Sequence, residues 1–338
     1  TYGPVGAVTF NGSYSYAAGA GALYGGKQTT VSDVAASADT AEHAARLDLV
    51  AGDYVEDVDF GFSFDVVVNV ESGEGSNPQG SLRRFISNAN TVTGPNAMRF
   101  VPAVPTNDSD GGGNTWWRLD VTSALPQITD AATTIDGTAY SATDGITIVD
   151  TNTSSIGAGQ TVGVDAATTT ATLDPELAIR NDRATPVPNG LDIQADNTAL
   201  ADFAIYGFGV GGLDADLRIG DNGAGPVIDA VTVDRVVVGT DPAGDTNPGP
   251  DVTPLVGVLV SQATNGAFRD GLVRSVDGYG FRLGLGSTGW QITGCEFTGN
   301  GAGGSGCAFL LSAQGATIDG YLFSASADDA LIISSDGQ

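Results

Sequence analysis

The sequence predicts an all-β chain, most of it a solenoid of stacked β-coils, and two interleaved repeats carry that prediction. Aligned on its first apolar residue, one motif returns five times: Leu200-Ala-Asp-Phe203-Ala-Ile205, Val233-Asp-Arg-Val236-Val-Val238, Phe268-Arg-Asp-Gly271-Leu-Val273, Ile292-Thr-Gly-Cys295-Glu-Phe297 and Ile318-Asp-Gly-Tyr321-Leu-Phe323. The steps between copies are 33, 35, 24 and 26 residues. A second motif, glycine or alanine followed by apolar-x-apolar, runs between them: Gly190-Leu191-Asp-Ile193, Gly257-Val258-Leu-Val260, Gly280-Phe281-Arg-Leu283, Ala308-Phe309-Leu-Leu311 and Ala330-Leu331-Ile-Ile333. Two strand series with one shared period are the mark of a chain that winds coil upon coil. Composition agrees. There are 49 glycines in 338 residues and Lys27 is the one lysine, while short branched and turn-forming residues favour strands and tight loops.

The charge of −27 excludes nucleic acid, whose phosphates need a basic face, and equally an anionic membrane surface. It fits an acidic, well-hydrated exterior of the extracellular or salt-adapted kind, with Ca²⁺ binding by aspartate clusters as the sharper alternative. No apolar run approaches the roughly 20 residues of a membrane span, so no membrane insertion is expected, and no signal peptide is visible. The chain begins with Thr, which reads as a processed or excised piece of something longer. Cys295 occupies an apolar slot of the first motif and reads as a small buried hydrophobe; a disulfide to Cys307 is left open by sequence alone.

Residues 1–65 read as short strands with Gly/Ser/Ala turns: Val5–Phe10, Ser13–Tyr16, Ala45–Val50 and Asp57–Phe64. In the last, alternation puts Val58, Phe60, Phe62 and Phe64 on one face. The Asp59-Phe60-Gly61-Phe62 element resembles the closing strand of B-type immunoglobulin-like repeats of bacterial surface proteins, which implies a partial, sandwich-like region here.

Residues 66–338 form the second unit. After the strand Asp65–Val70, Ser81 is a good N-cap, and Leu82, Phe85, Ile86 and Ala89 at i, i+3, i+4 and i+7 predict an amphipathic helix over about 81–90. A helix laid across the open apolar end of a first coil is a usual solution for a solenoid. The order strand, Gly-Ser-Leu-Arg helix, Met98–Val101, Leu125–Thr129 and Thr134-Ile135-Asp136-Gly137 resembles the opening of right-handed parallel β-helix proteins of bacterial and archaeal surfaces. The resemblance implies that the helix caps the N-terminal end and that Thr134–Gly137 belongs to the first full coils.

Residues 101–118 read as an insertion. Its Asp108 and Asp110, in an Asp/Asn/Gly run, are candidate Ca²⁺ ligands, although a solvated turn is the favoured reading and the EF-hand pattern is incomplete. Trp116 and Trp117 are candidate sugar-stacking rings, or packing residues of a strand. The Thr/Ala/Gly-rich stretch from about 145 to 180, with Ile146–Val149, Val162–Val164 and Leu177–Ile179, reads as further coils carrying loops. Coils become regular from about residue 190, and the loop 239–254 accounts for the 35-residue step.

Within the first motif the apolar residues at positions 0, +3 and +5 recur because each slot stacks on its counterpart. The break in alternation between 0 and +3 fits a bend between two short strands. Glycine at Gly190, Gly257 and Gly280 fits a turn where a side chain would strike the next coil. Each stacked residue contributes roughly 1.5–3 kcal/mol on burial.

Candidate chemistry is thin. Asp328-Asp329 resembles the aspartate pair of the polygalacturonase-like β-helix enzymes, but the partners that pair needs have no counterpart, and His43 lies far from the coils. No catalytic residue is assigned, and a polysaccharide lyase or glycoside hydrolase is the third reading. The second is an adhesin that binds glycans or a neighbouring surface. The first is a structural subunit of an extracellular or cell-surface assembly. Its strand Ala330, Leu331 to Ile333 would present an open coil edge to copies of itself, head to tail into a filament, or to further coils of a longer chain.

Overall fold

The computed structural model describes residues 8–10, 14–16, 50–52, 65–71, 80–142, 144–157, 161–162, 167–168, 174–181, 184–221, 225–244, 256–302, 309–311, 314–324 and 330–333. Most of its strands fall into three sheets of seven, eight and six strands, and all pairs in them are parallel except the one made by Asp108–Ser109 at the edge of the eight-stranded sheet. The chain visits the sheets in rotation. Ala199–Ala201 enters the seven-stranded sheet, Phe203–Tyr206 the eight-stranded and Leu217–Ile219 the six-stranded, before Thr232–Asp234 returns to the first.

The register is the one the motif dictates. Ile135, Leu200, Val233, Phe268, Ile292 and Ile318 are successive Cα partners, so position 0 forms one column. Position +5 forms a second, from Leu119 and Ile179 through Ile205, Val238, Val273 and Phe297 to Phe323. The apolar-x-apolar motif forms the third: Leu191, Leu217, Val258, Phe281, Phe309 and Leu331. Side chains from all three columns meet in one buried apolar cluster. A shift by one residue would turn each column to the outside, so the burial itself fixes the register.

The bend between positions 0 and +3 is a single residue in the left-handed region: Asp202 (φ 58°), Arg235 (φ 53°), Asp270 (φ 52°), Gly294 (φ 66°) and Gly320 (φ 58°). That conformation costs an ordinary L-residue about 1–2 kcal/mol, which Arg235 offsets in part by donating two hydrogen bonds, 2.6 and 2.7 Å, to the Asp202 carboxylate one coil earlier. Glycine before the third column answers to space. A Cβ on Gly257 would stand 2.6 Å from the Gly280 carbonyl oxygen.

The helix spans Leu82–Ala89, and the Ser81 hydroxyl caps it by accepting from Arg84 N at 3.2 Å. Leu82, Phe85, Ile86 and Ala89 are buried with Val67, Met98 and Phe100 of the earliest strands. The Arg83 guanidinium fastens the helix by donating to the Ser123 and Ala124 carbonyls, both at 2.6 Å.

Two expectations need correction. The stretch 145–180 adds one strand to the stack and not several coils: Ile135 and Leu200 are direct neighbours in register, and of the described residues in that stretch only Leu177–Arg180 joins the three large sheets. Ile146 and Ile148 are 73% and 63% exposed, and Thr161–Val162 pairs antiparallel with Ala167–Thr168. Of the strands expected there, Leu177–Arg180 joins the eight-stranded sheet. Short Thr and Ala side chains bury too little apolar surface to hold a coil of their own. Conversely, a strand through Leu217 and Ile219 lies between Leu191 and Val258 in the six-stranded sheet. Its residue in the glycine slot is Asp216, fully buried, with its carboxylate accepting from Phe208 N at 3.0 Å.

Of residues 1–65, the structure describes the antiparallel hairpin Val8–Phe10 with Tyr14–Tyr16 and little else; Asp57–Phe64 lies outside the described residues. Cys295 is a free, buried thiol pushed up to about 12 by burial, and Cys307 lies outside the described residues. No helix among the described residues is long and apolar enough to cross a membrane.

Candidate functional site

Trp116 and Trp117 are adjacent on the strand Thr115–Asp120, so their rings point to opposite faces of the eight-stranded sheet. Trp117 turns inward, edge-on to Phe100 at 5.8 Å, and its indole N–H donates to the Val104 carbonyl at 2.8 Å. Trp116 turns outward but is buried in a second apolar cluster with Ile156, Ala178, Ala204, Tyr206, Val237 and Leu272. At 1% and 5% exposure, neither ring has a face open to a sugar, which corrects the stacking role considered for them.

Asp108 and Asp110 are also spent on structure. Asp108 pairs with Arg118 at 2.9 Å. The Asp110 carboxylate accepts from Gly112 N, Asn114 N and Asn114 Nδ2, which closes its own turn and holds its carboxyl below the usual range. Among the described residues no three His, Cys, Asp or Glu side chains converge on a point that could hold a metal ion. Asp328, Asp329 and His43 lie outside the described residues.

Carboxylates do gather where the stretch 145–180 rejoins the stack. A cleft of about 210 Å³ is lined by Thr138, Ala139, Ile148, Val149, Asp150, Asp174, Pro175, Glu176, Asp202 and Arg235. Burial pushes the Asp174 carboxyl up, reinforced by Asp150 and Asp202. Burial also raises Glu176, against hydrogen bonds from Thr151 and Asn152 that lower it. Carboxyls held in unlike environments within one cleft are the arrangement from which acid–base pairs are made. The cleft is small, however, since sites for organic ligands usually enclose about 300–1,000 Å³. A second hollow, about 340 Å³, is lined by Asp65, Asp136 and Tyr140 among others, and its Arg99 is engaged with the Tyr140 ring at 3.9 Å and the Gly145 carbonyl at 2.7 Å.

None of the cleft carboxylates was singled out from sequence. The available signal was Asp174-Pro175-Glu176, an acidic pair set between a Thr/Ala run and the strand Leu177–Arg180.

The remaining candidate surface is the last described set of strands. Thr317–Asp319, Leu322–Ser324 and Leu331–Ile333 are the edge strands of the three sheets on the same side. Ile318, Phe323 and Leu331 are half-buried and Ile333 is 69% exposed, whereas Ile292 and Phe297, the register partners of Ile318 and Phe323, are fully buried, as is Leu283 two steps before Ile333. Ala330 is exposed beside them.

No family model, no curated protein and no solved structure matches the chain.

Proposed function

We propose that the chain is a section of a right-handed parallel β-helix that serves as a structural subunit of an extracellular or cell-surface assembly. In this reading its last coil joins the next one head to tail, supplied by a copy of itself or by further coils of a longer chain. One observation carries it. Three edge strands with matched register present partly exposed Ile318, Phe323, Leu331 and Ile333 together, and an edge of that kind is a template for another β-coil. The helix Leu82–Ala89 packs on the earliest strands, so the two sides of the stack differ, and contact between unlike sides propagates instead of closing. The use of charge supports a scaffold as well. Asp202 with Arg235, Asp234 with Arg269 and Asp192 with Arg218 tie one coil to the next.

Sedimentation velocity over a wide concentration range tests the reading. Wild-type protein should form species that grow with concentration, and Ile333→Asp, which sets a charge on the joint, should remain monomeric. A wild-type chain that stays monomeric at high concentration would defeat joining to a copy of itself.

A second reading, a polysaccharide-cleaving enzyme, draws on the raised Asp174 carboxyl beside Asp150 and Asp202. It requires release of reducing or unsaturated ends from an acidic polysaccharide and loss of that release in Asp174→Asn. The adhesive reading loses its two candidate rings, and a glycan array showing no difference between wild type and Trp116→Ala would agree with that.

A further inference from the structure

Residues 151–156 form a strap along the outer face of the eight-stranded sheet. At its far end Ile156 lies on the cluster of Trp116, Ala178, Ala204 and Leu272. At its near end Thr115 N donates to the Thr151 carbonyl at 3.1 Å, and Thr153 donates to Asn114 Oδ1 from both its N–H, 3.2 Å, and its hydroxyl, 2.8 Å. Beneath it sits Glu176, 7% exposed, whose Oε1 accepts from Thr151 N at 2.6 Å and Asn152 N at 2.8 Å.

The other carboxyl oxygen raises a question of protons. The Thr151 hydroxyl oxygen lies 2.7 Å from the Thr115 carbonyl oxygen and 2.5 Å from Glu176 Oε2. A hydroxyl has one proton and a carbonyl oxygen has none. With Glu176 ionised, three oxygens in two short contacts share a single proton, and one contact sets lone pair against lone pair. With a proton on Oε2, Glu176 donates to the Thr151 hydroxyl, which in turn donates to the Thr115 carbonyl, and each contact is satisfied.

We propose that Glu176 is a proton-operated latch: taking up a proton on Oε2 completes the chain Glu176–Thr151–Thr115 and closes the strap, and losing that proton loosens it. The charged groups around the latch are Asp150 just before the strap, Asp174 two residues before Glu176, and Asp202 and Arg235 across the cleft. Burial and Asp150 push the Glu176 carboxyl up, and Asp174 is pushed the same way, so the carboxylates discourage one another's ionisation. A closed state that holds the proton more tightly than the open one is favoured below the ordinary glutamic range and lost as pH rises through the closed-state value. Each pKa unit of difference between the two states is about tenfold in the closing equilibrium. An opened strap uncovers Trp116 and the apolar strip around it, a surface the closed form hides.

Amide hydrogen exchange of the segment 151–156, corrected for the intrinsic pH dependence of exchange, is the test. Wild-type protection should fall by about tenfold or more between about pH 4 and pH 8. Glu176→Gln, whose amide N–H₂ donates to the Thr151 hydroxyl at every pH, should keep the strap protected throughout. Thr151→Val, which lacks the hydroxyl, should show no pH step even if Glu176→Gln fails to fold. Wild-type protection that is flat or rises with pH overturns the latch, as does a pH step that survives unchanged in either variant.

Discussion

Phe268 offers the sharpest test of how the coils are packed. It is the bulkiest residue in the position-0 column, fully buried, with its ring edge-on to Phe281 at 5.3 Å. The same copy of the motif has glycine at position +3, where the preceding copy has Val236. A Cβ on Gly271 would lie 2.6 Å from the Phe268 ring, so the ring occupies the space that a +3 side chain fills elsewhere. Phe268→Ala should cost about 3–5 kcal/mol, of which about 0.5–1.5 comes from the lost aromatic pair. Gly271→Val alone should also destabilise, by about 1–3 kcal/mol, because it overfills an occupied slot. Together they should be far less than additive, since valine enters the hole the ring leaves, with a coupling energy of about 0.5–3 kcal/mol. Urea denaturation of the four proteins of this cycle, followed by tryptophan fluorescence, measures it. Strictly additive losses, or a loss below about 1 kcal/mol for Phe268→Ala, would refute the idea that positions 0 and +3 share one volume.

Other perturbations separate space, charge and protonation. Gly257→Ala drives a methyl onto the Gly280 carbonyl oxygen, 2.6 Å away, and should lower Tm more than Gly299→Ala, which has open space and a φ of 64° costing about 1–2 kcal/mol. Arg235→Ala should cost only about 0.2–1 kcal/mol, and the loss should shrink in salt, because the pair with Asp202 is partly exposed. Trp116→Ala should destabilise by about 3–5 kcal/mol in thermal melts, as expected of a core ring. Asp174 has a raised carboxyl, so its contribution is present below the ordinary aspartic range and lost as pH rises through the folded value. Asp174→Asn should therefore be the more stable protein near pH 7, with the difference closing towards about pH 4 in pH-dependent denaturation.

What could be read in advance follows from period. Columns built on Leu200, Val233, Phe268 and Ile292 were legible because each coil repeats the same chemistry at the same slot, and the capped helix was legible because Ser81 and its apolar stripe are local signals. The strand through Leu217 escaped because Asp216 stands where the other copies have a small residue, and its buried carboxylate accepts from a backbone N–H that no motif announces. The stretch 145–180 was misread because β-branched Thr, Val and Ile favour strands whether or not a core is available to bury them. The acidic cleft depends on Asp150, Asp174 and Asp202 meeting across long sequence separations, which spacing does not reveal. Burial of both tryptophans likewise depends on what covers them, for Trp116 a strap about 40 residues further along the chain.

The central claim is that the three columns form a stack whose last coil continues into another. Electron cryomicroscopy of concentrated protein tests it most directly. The account predicts filaments whose strand repeat of about 4.8 Å runs through each junction without a break, with Leu331–Ile333 paired across it. Discrete particles at every concentration, or junctions made away from Leu331–Ile333, would contradict it.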